Sequence, residues 1–510
     1  MRCFIKFDST NQIKLGAIIS YISIGINILF GLIYTPWMIH SIGKENFGLY
    51  TLAMSVISFF VFDFGMSQAV QRFVAKYLAE GKPEKANNCL GLVTKLYVWL
   101  DVTLLIVLTI VYFFIPSIYQ ELTPTEIEKF KVVYCVAALF SVISFPFIPL
   151  NGVLNANEKF VQLKSCDLIH KFLVVGLMSA CLLLGYGLYA LVTVNAVAGV
   201  LTIILKLVVL KRYTDTKINY RYKDPAEFKS IMSFSGWVTA IALAQRMIFN
   251  IAPSVLGIFS GSASIAVLGI AITIEGYVYI FANVLSGFFI PKLARKIVSE
   301  ENCLPLMVKV GRIQIFVVAL IFFAYISIGR DFINTWVGES FSDVYVGAIL
   351  LIFPLLIHSS EQIAEETLMF VNVKSKAIIY IIMAILNIVL LFVLAPLYDM
   401  LGICMAVCIS YLVRTLLLNI VYNRVLQLKI SVFFKESFLR MLFPLLLTLV
   451  VGIGINRVIP FSGWGGIVVK GCCFVAEYFI IMYALAMNKY EHNLIAEPVK
   501  KIYNKFRIKP

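Results

Sequence analysis

Residues 377–395 read AIIYIIMAILNIVLLFVLA, nineteen residues without a charged side chain. A helix rises about 1.5 Å per residue, so roughly 20 apolar residues cross the ~30 Å hydrocarbon core of a bilayer. Thirteen further apolar stretches of similar length occur in the 510-residue chain. We therefore predict an all-α integral membrane protein with fourteen transmembrane helices, at 15–38, 48–71, 92–115, 132–154, 168–185, 187–210, 233–259, 264–290, 306–328, 344–371, 377–395, 401–423, 440–456 and 464–487.

The lysines and arginines predict the orientation of these helices, because basic loops stay in the cytoplasm during membrane insertion. With the N-terminus inside, 35 of the 43 basic residues fall in segments predicted to be cytoplasmic. We therefore predict that both termini are cytoplasmic. The net charge of +15 then needs no nucleic-acid partner, since the basic residues are spread over many loops instead of forming one patch.

The composition leaves little material for a water-soluble catalytic domain. Hydrophobic residues make up 61% of the chain and charged residues 14%. The longest polar stretches, 211–231 and 488–510, are too short to bury a core of their own. No phosphate-binding loop of the GxxxxGK[ST] type is present, and the cysteines and histidines lack metal-ligand spacing. We therefore predict a protein that is not an enzyme and that has no metal site.

Two parts of the chain show the same order of features. Helix 1 ends near Pro36 and helix 7 near Pro253, and each is followed by two glycines, a further helix and a basic segment. This order predicts two related six-helix bundles in the same orientation, although two helical hairpins in a membrane can also look alike. The predicted parts are the lobes 1–210 and 233–424, the cytoplasmic linker 211–232, helices 13 and 14 in 425–487, and the cytoplasmic tail 488–510.

Residues 63–81 read DFGMSQAVQRFVAKYLAEG and resemble a stretch of the bacterial polysaccharide-unit flippases of the Wzx type. The segments GKENFGLY at 43–50, NGVLNA at 151–156 and LGI at 401–403 add to this likeness. The stretch at 63–81 is typical of the wider multidrug/oligosaccharidyl-lipid/polysaccharide exporter superfamily.

The resemblance implies a flippase in the bacterial cytoplasmic membrane. Such proteins move oligosaccharide repeat units, linked to undecaprenyl pyrophosphate, to the outer face by alternating access for O-antigen or capsule assembly. Helices 1, 2, 7 and 8 would line a cavity with cationic residues. The implied partners are the lipid-linked oligosaccharide, membrane lipids, a polysaccharide polymerase and chain-length proteins. No cofactor is implied beyond a coupling ion, H⁺ or Na⁺.

Charged residues near the middle of a predicted span indicate a cavity, because such residues cost ~2.5–3.5 kcal/mol in the bilayer. Arg246 lies halfway along helix 7 and shares a polar face with Asn250, and its guanidinium suits a pyrophosphate. The alternative is that Arg246 forms an ion pair with Glu275. We add Glu275 itself, Arg414 and Asn27 as candidate cavity residues, although Asn27 could equally serve close helix packing.

A second group of candidates concerns coupling and conformational change. Asp63 in helix 2 could bind a coupling ion or brace the fold, and Arg72 lies near the cytoplasmic end of the same helix. In helix 10, His358, Glu361 and Glu365 share one face and could relay protons. The alternative for Glu365 is an ion pair with a lysine of the loop that follows.

Two other functions remain as alternatives. A cation-coupled exporter of the multidrug type shares the superfamily fold but usually has twelve helices. An integral-membrane glycan polymerase or ligase tends to have one long outward loop with catalytic arginines or histidines. The longest outward loops predicted here, 116–131 and 329–343, have only about fifteen residues each.

The predicted topology can be checked by cysteine labelling or by reporter fusions. We expect labels at Lys85 and Lys217 to react only from the cytoplasmic side, and labels at Thr123 and Ser340 only from outside, because of the charge bias of the loops. Labelling of position 217 from the outer face would overturn this topology.

Overall fold

The computed structural model describes residues 9–61, 63–287, 293 and 302–492, without the side chains of 9–23, 27, 68, 230, 233, 234 and 283–287. Within these ranges every regular element is helical. The α-helices are α1 (Ser9–Ile42), α2 (Lys44–Phe60), α3 (Met66–Ala79), α4 (Pro83–Ile118), α5 (Pro124–Ser144), α6 (Leu150–Ala156), α7 (Phe160–Leu183), α8 (Leu188–Tyr213), α9 (Pro225–Phe249), α10 (Ala252–Phe259), α11 (Ser262–Gly287), α12 (Leu304–Trp336), α13 (Val344–Ser360), α14 (Gln362–Val371), α15 (Val373–Val425), α16 (Ile430–Phe434), α17 (Arg440–Val458) and α18 (Gly463–Leu485). Short turns of 3₁₀-helix (Phe145–Phe147, Glu339–Phe341) and π-helix (Lys435–Leu439) connect some of them.

The prediction of an all-α, multi-spanning fold is confirmed. Eleven helices of the described chain are long and apolar enough to cross a membrane, or twelve if α13 and α14, which meet at 62°, form one span. The count of fourteen and the orientation remain predictions. Predicted helices 11 and 12 both fall within α15, whose 53 residues are long enough for two crossings and which is interrupted at Asp399, where φ is 51°.

The predicted span 48–71 is broken in two by the segment between α2 and α3. Gly65 has φ of 69°, a left-handed conformation that glycine adopts at no steric cost. A break exposes the first N–H groups of the following helix. Here the Asp63 carboxylate accepts hydrogen bonds from the backbone N–H groups of Met66 and Ser67, at 3.0 and 3.1 Å. The polar residues of this stretch therefore end one helix and begin the next.

Residues of the loops explain where two other spans begin. Thr123 forms a reciprocal capping box with Glu126 at the start of α5. At the start of α9 the Asp224 carboxylate accepts from the backbone N–H groups of Glu227 and Ala226, and these hydrogen bonds lower the pKa of Asp224. Both helices continue with proline at the first position, where no intrahelical N–H is needed.

The chain divides into two compact units. Unit 1 comprises residues 1–269 and 380–407, and unit 2 comprises 270–379 and 408–510. In unit 1, α7 packs against α1 and α8, and α8 also packs against α5. In unit 2, α12 packs against α13, α17 and α18. The division into lobes, linker and tail stays a prediction.

A buried arginine attaches the C-terminal helix pair to α12 in unit 2. Arg312 is 3% exposed and donates two hydrogen bonds to the Glu491 carboxylate, at 2.6 and 2.9 Å, and one to the Glu436 carbonyl, at 2.8 Å. Further along α12, Asp331 accepts from Lys470 of α18 at 2.7 Å. Charge-assisted hydrogen bonds of this kind are the stronger ones in proteins, so they hold α17 and α18 against α12.

Close helix contact in unit 1 depends on a glycine of α6. A Cβ atom built on Gly152 would lie 2.3 Å from the backbone oxygen of Ser67, so the two backbones approach too closely for a side chain. Gly176 in α7 has no atom within 4 Å of the same position and offers a matched control.

We expect Gly152→Ala to destabilise the protein by about 1–3 kcal/mol, because α3 and α6 must move apart. Gly176→Ala should be neutral or stabilising by up to ~1 kcal/mol, since alanine favours helix. Thermal unfolding of the purified protein in detergent measures both. Equal unfolding temperatures for the two variants would contradict the close contact.

Candidate functional site

Asp63 has three hydrogen-bond donors around its carboxylate. Besides the two N–H groups of α3, the Tyr97 hydroxyl of α4 donates to Oδ1 at 2.9 Å. Tyr97 is fully buried and its ring also packs on Phe145. These contacts fix Asp63 at the break between α2 and α3.

The polar face predicted on helix 7 contacts the same break from the other side. The Arg246 guanidinium donates to the Ser58 carbonyl, in the last turn of α2, and Asn250 donates to the Ser58 hydroxyl at 2.6 Å. Thr239 donates to the Phe64 carbonyl at 2.6 Å. The last carbonyls of a helix have no intrahelical partner. Arg246 therefore donates to a carbonyl in the last turn of α2, and Thr239 donates to a carbonyl of the segment between α2 and α3.

A cavity of about 460 Å³ lies between α5, α7 and α8 of unit 1. Lys206 projects into it and donates to the Asp167 and Asn151 side chains, at 2.9 and 3.0 Å. His170 and Thr202 are hydrogen-bonded across the same helix pair at 2.9 Å. The remaining lining residues are Lys171, Ser144, Phe140, Phe147, Ile148, Leu150, Gly199 and Ile203.

The sequence reasoning missed this cavity because it placed the start of helix 5 too late. A start at residue 168 puts Lys171 at the cytoplasmic end, among loop lysines. In the structure α7 begins at Phe160, so Lys171 is the twelfth of its 24 residues. The buried Leu163 and Cys166, three residues apart, are the signal that could have extended the helix.

In unit 2, the ionisable residues of predicted helix 10, now in α13 and α14, lie close together. The Glu365 carboxylate lies 2.9 Å from Lys376 Nζ and 3.3 Å from His358 Nδ1. Both Glu365 and Lys376 are less than 10% exposed. The ion pair that we gave as the alternative for Glu365 is thus present, between α14 and the first turn of α15.

Two further predicted residues lie beside this group. Glu361 is 1% exposed, sits at the bend between α13 and α14, and accepts from Asn419 at 2.8 Å. Arg414 is also 1% exposed and lies over the Tyr411 ring, with 4.5 Å between the guanidinium carbon and the ring centre. Cation–π contact of this kind stabilises a buried guanidinium.

Of the other candidates, the structure describes the side chains of Arg72 and Glu275. Arg72 is exposed on α3, and the side chain of Asn27 lies outside the described residues. Glu275 is buried on α11, and its ion pair with Arg246 stays a prediction. In the part of the chain that the structure describes, no three His, Cys, Asp or Glu residues are placed to hold a metal ion.

The chain has long apolar helices, and polar side chains form hydrogen bonds at the breaks between some of them. It is a multi-spanning membrane protein with a transporter fold. It belongs to the polysaccharide biosynthesis protein family, whose sequence profile matches residues 13–297. A comparison with curated proteins gives no significant match.

Solved structures of transporters share the fold. A lipid II flippase MurJ in an inward closed conformation superposes with a TM-score of 0.69, at 14% identity, over 94% of this chain and 99% of the other. An inward-facing multidrug resistance MATE family transporter gives 0.63, at 16% identity, over 82% and 99%. A transporter of the same MOP superfamily from Pyrococcus furiosus gives 0.53, at 15% identity, over 82% and 96%. The match of residues 13–297 to the polysaccharide biosynthesis family confirms the family resemblance, and these structures confirm the fold.

We expect Glu365→Gln to destabilise the protein by about 3–5 kcal/mol, because the buried Lys376 loses its counter-charge. The double variant Glu365→Gln with Lys376→Met should recover most of the loss. Thermal unfolding in detergent measures the free energies of unfolding.

The ion pair between the half-buried Glu436 and the exposed Arg440 is the control: Arg440→Gln should cost less than about 1 kcal/mol. If the double variant is as unstable as Glu365→Gln alone, the pair does not stabilise the fold.

Proposed function

We propose that the protein is a flippase that moves undecaprenyl-pyrophosphate-linked oligosaccharide repeat units across the bacterial cytoplasmic membrane by alternating access. The units would serve O-antigen or capsule assembly, with a polymerase and chain-length proteins as further partners. The observation that carries the proposal is the match of residues 13–297 to the polysaccharide biosynthesis family. The fold shared with a lipid II flippase over 94% of the chain supports it.

The chemistry of such a substrate requires a cation inside the protein. Its pyrophosphate must leave water while its hydrocarbon tail stays in the bilayer, and a guanidinium matches phosphate oxygens in pairs. Within the proposal Arg246 binds the pyrophosphate, and its half-buried position on α9 is compatible with this. Arg414 is 1% exposed, so contact between Arg414 and a substrate would need a change of conformation.

Coupling to H⁺ or Na⁺ is part of the proposal. For Asp63 we favour a conformational role, because its three hydrogen-bond donors occupy the carboxylate at the break between α2 and α3. His358 and Glu361 are the proposed coupling residues, and the Glu365–Lys376 ion pair beside them sets the local charge.

The second candidate function is export of small molecules by the same alternating-access movement. The shared fold with a multidrug resistance MATE family transporter, at a TM-score of 0.63 over 82% of the chain, favours it. The two functions differ in substrate, so cell physiology separates them.

Deletion of the gene should leave lipid-linked repeat units at the cytoplasmic face and deplete surface polysaccharide, without reducing synthesis of the unit. The orientation of the units can be measured by their accessibility to a glycosidase in sealed vesicles of both orientations. Absence of the unit would indicate an enzyme. Normal surface polysaccharide together with increased drug sensitivity would indicate an exporter.

Complementation of the deletion strain tests Arg246. Arg246→Gln keeps an N–H donor for the Ser58 carbonyl but removes the charge, so we expect normal membrane abundance and a loss of transport of about tenfold or more. Ser254→Ala, which removes a neutral hydrogen bond to Ser55 in the same region, is the control and should transport normally. Full transport by Arg246→Gln would show that Arg246 does not bind the substrate. It would not contradict the flippase proposal.

A further inference from the structure

Two carboxylates from distant parts of unit 1 accept hydrogen bonds from one short segment. Residues 260–264 read SGSAS and lie where α10 ends and α11 begins; we call them the serine segment. The Glu126 carboxylate accepts from the Ser262 hydroxyl. The Asp399 carboxylate accepts from the serines at both ends of the segment, and its Oδ2 lies 2.7 Å from the Ser264 hydroxyl. The predicted topology places these residues at the outer ends of their helices.

Asp399 has a backbone conformation that residues other than glycine rarely adopt. Its φ is 51° and its ψ is −133°, at the interruption of α15. Such a conformation is costly and persists only where the surroundings favour it, often at sites that change conformation. The two serine hydroxyls at its carboxylate are surroundings of this kind. Because Asp399 is exposed and Glu126 is half-buried, water can replace these hydrogen bonds when the serine segment moves.

The helix ends below these hydrogen bonds are tightly packed. A Cβ atom on Gly48 of α2 would overlap the backbone of the serine segment, so only glycine fits there. The side chains of Leu52, Tyr119 and Ile265 converge to within 3.2–3.3 Å of the Cβ position of Gly257, and each of the three is at most 3% exposed. These three side chains form a buried apolar layer beneath the serine segment.

Polar residues follow on the inner side of this layer. The hydroxyls of Ser55 and Ser254 are 3.0 Å apart. Asn250 lies seven residues before Gly257, about 10 Å along the helix axis, and Arg246 lies one turn further. Along α2, α9 and α10, the apolar layer and the serine segment therefore separate Arg246 from the outer face.

We propose that Glu126 and Asp399 form the latch of an outer gate, which holds the serine segment against α2 and opens when both carboxylates release it. Opening would let α10 and the start of α11 move away from α2 and α5, and outer water would then reach Ser254 and Asn250. Switches of this kind depend on a few contacts that differ between two states. The inference rests on the alternating access of the proposed function, but not on the identity of the substrate.

The labelling rate of a cysteine below the apolar layer measures opening of the gate. In Ser254→Cys, a membrane-impermeant maleimide added to intact cells should react slowly while the latch is native, and the protein without this substitution gives the background. Asp399→Gly removes the carboxylate, and glycine adopts a positive φ without strain. We expect it to increase the labelling rate about fivefold or more. Ser262→Ala, which removes the hydrogen bond to Glu126, should act in the same direction.

Ser41→Ala is the matched control, because the Ser41 hydroxyl donates only to the Trp37 carbonyl of its own helix at the outer end of α1. It should leave the labelling rate unchanged. If Asp399→Gly and Ser262→Ala label as slowly as Ser41→Ala, the latch is overturned. A cysteine at Thr448, fully buried in α17, reports general loosening. If that cysteine also reacts faster in the two variants, the latch is overturned as well.

The labelling needs no substrate, so the latch and the flippase proposal can fail separately. Normal surface polysaccharide in the deletion strain contradicts the flippase, whereas the labelling rates still decide the latch. Unchanged labelling rates contradict the latch, and the polysaccharide measurement still decides the flippase.

Discussion

The bilayer offers no hydrogen bonds to the peptide backbone, and the polar residues of this protein follow from that constraint. A continuous helix satisfies its own N–H and C=O groups, but a break needs partners from elsewhere. Between α2 and α3, Asp63 accepts from the new N–H groups and Arg246 donates to the Ser58 carbonyl. At the bend after α13, the Glu361 N–H still bonds to the His358 carbonyl. At these two places, hydrogen bonds from side chains or within a turn satisfy backbone groups that a continuous helix would satisfy itself.

A residue that holds a broken helix is also suited to conformational change. Breaking a hydrogen bond at an interruption frees few groups, whereas bending a continuous helix disrupts several. Transporters place substrate and ion sites at discontinuous helices, whose free ends and unwound carbonyls coordinate the ligand. Within the proposed function, Arg246 would stabilise the break in one state and bind an anion in another. The structural and functional interpretations of Arg246 are compatible.

The fold class followed from the sequence because hydrophobic length is a strong signal, and residues 63–81 indicated the superfamily. Hydropathy averages over about twenty residues, so it missed the break inside 48–71 and joined two helices there. It also set the start of α7 eight residues late, because Lys164 and Asp167 lower the local average. That shift hid the cavity around Lys171. The sequence did not decide between an ion pair and a proton relay for Glu365, because both use the same face of one helix.

Buried and half-buried cations have different partners in the two units. In unit 2 three such cations lie against carboxylates: Lys376 on Glu365, Arg312 on Glu491 and Lys470 on Asp331. In unit 1 Arg246 donates to a carbonyl, and two lysines, Lys164 and Lys206, share Asp167. Breaking a matched pair leaves an uncompensated charge, so the pairs of unit 2 are costly to rearrange.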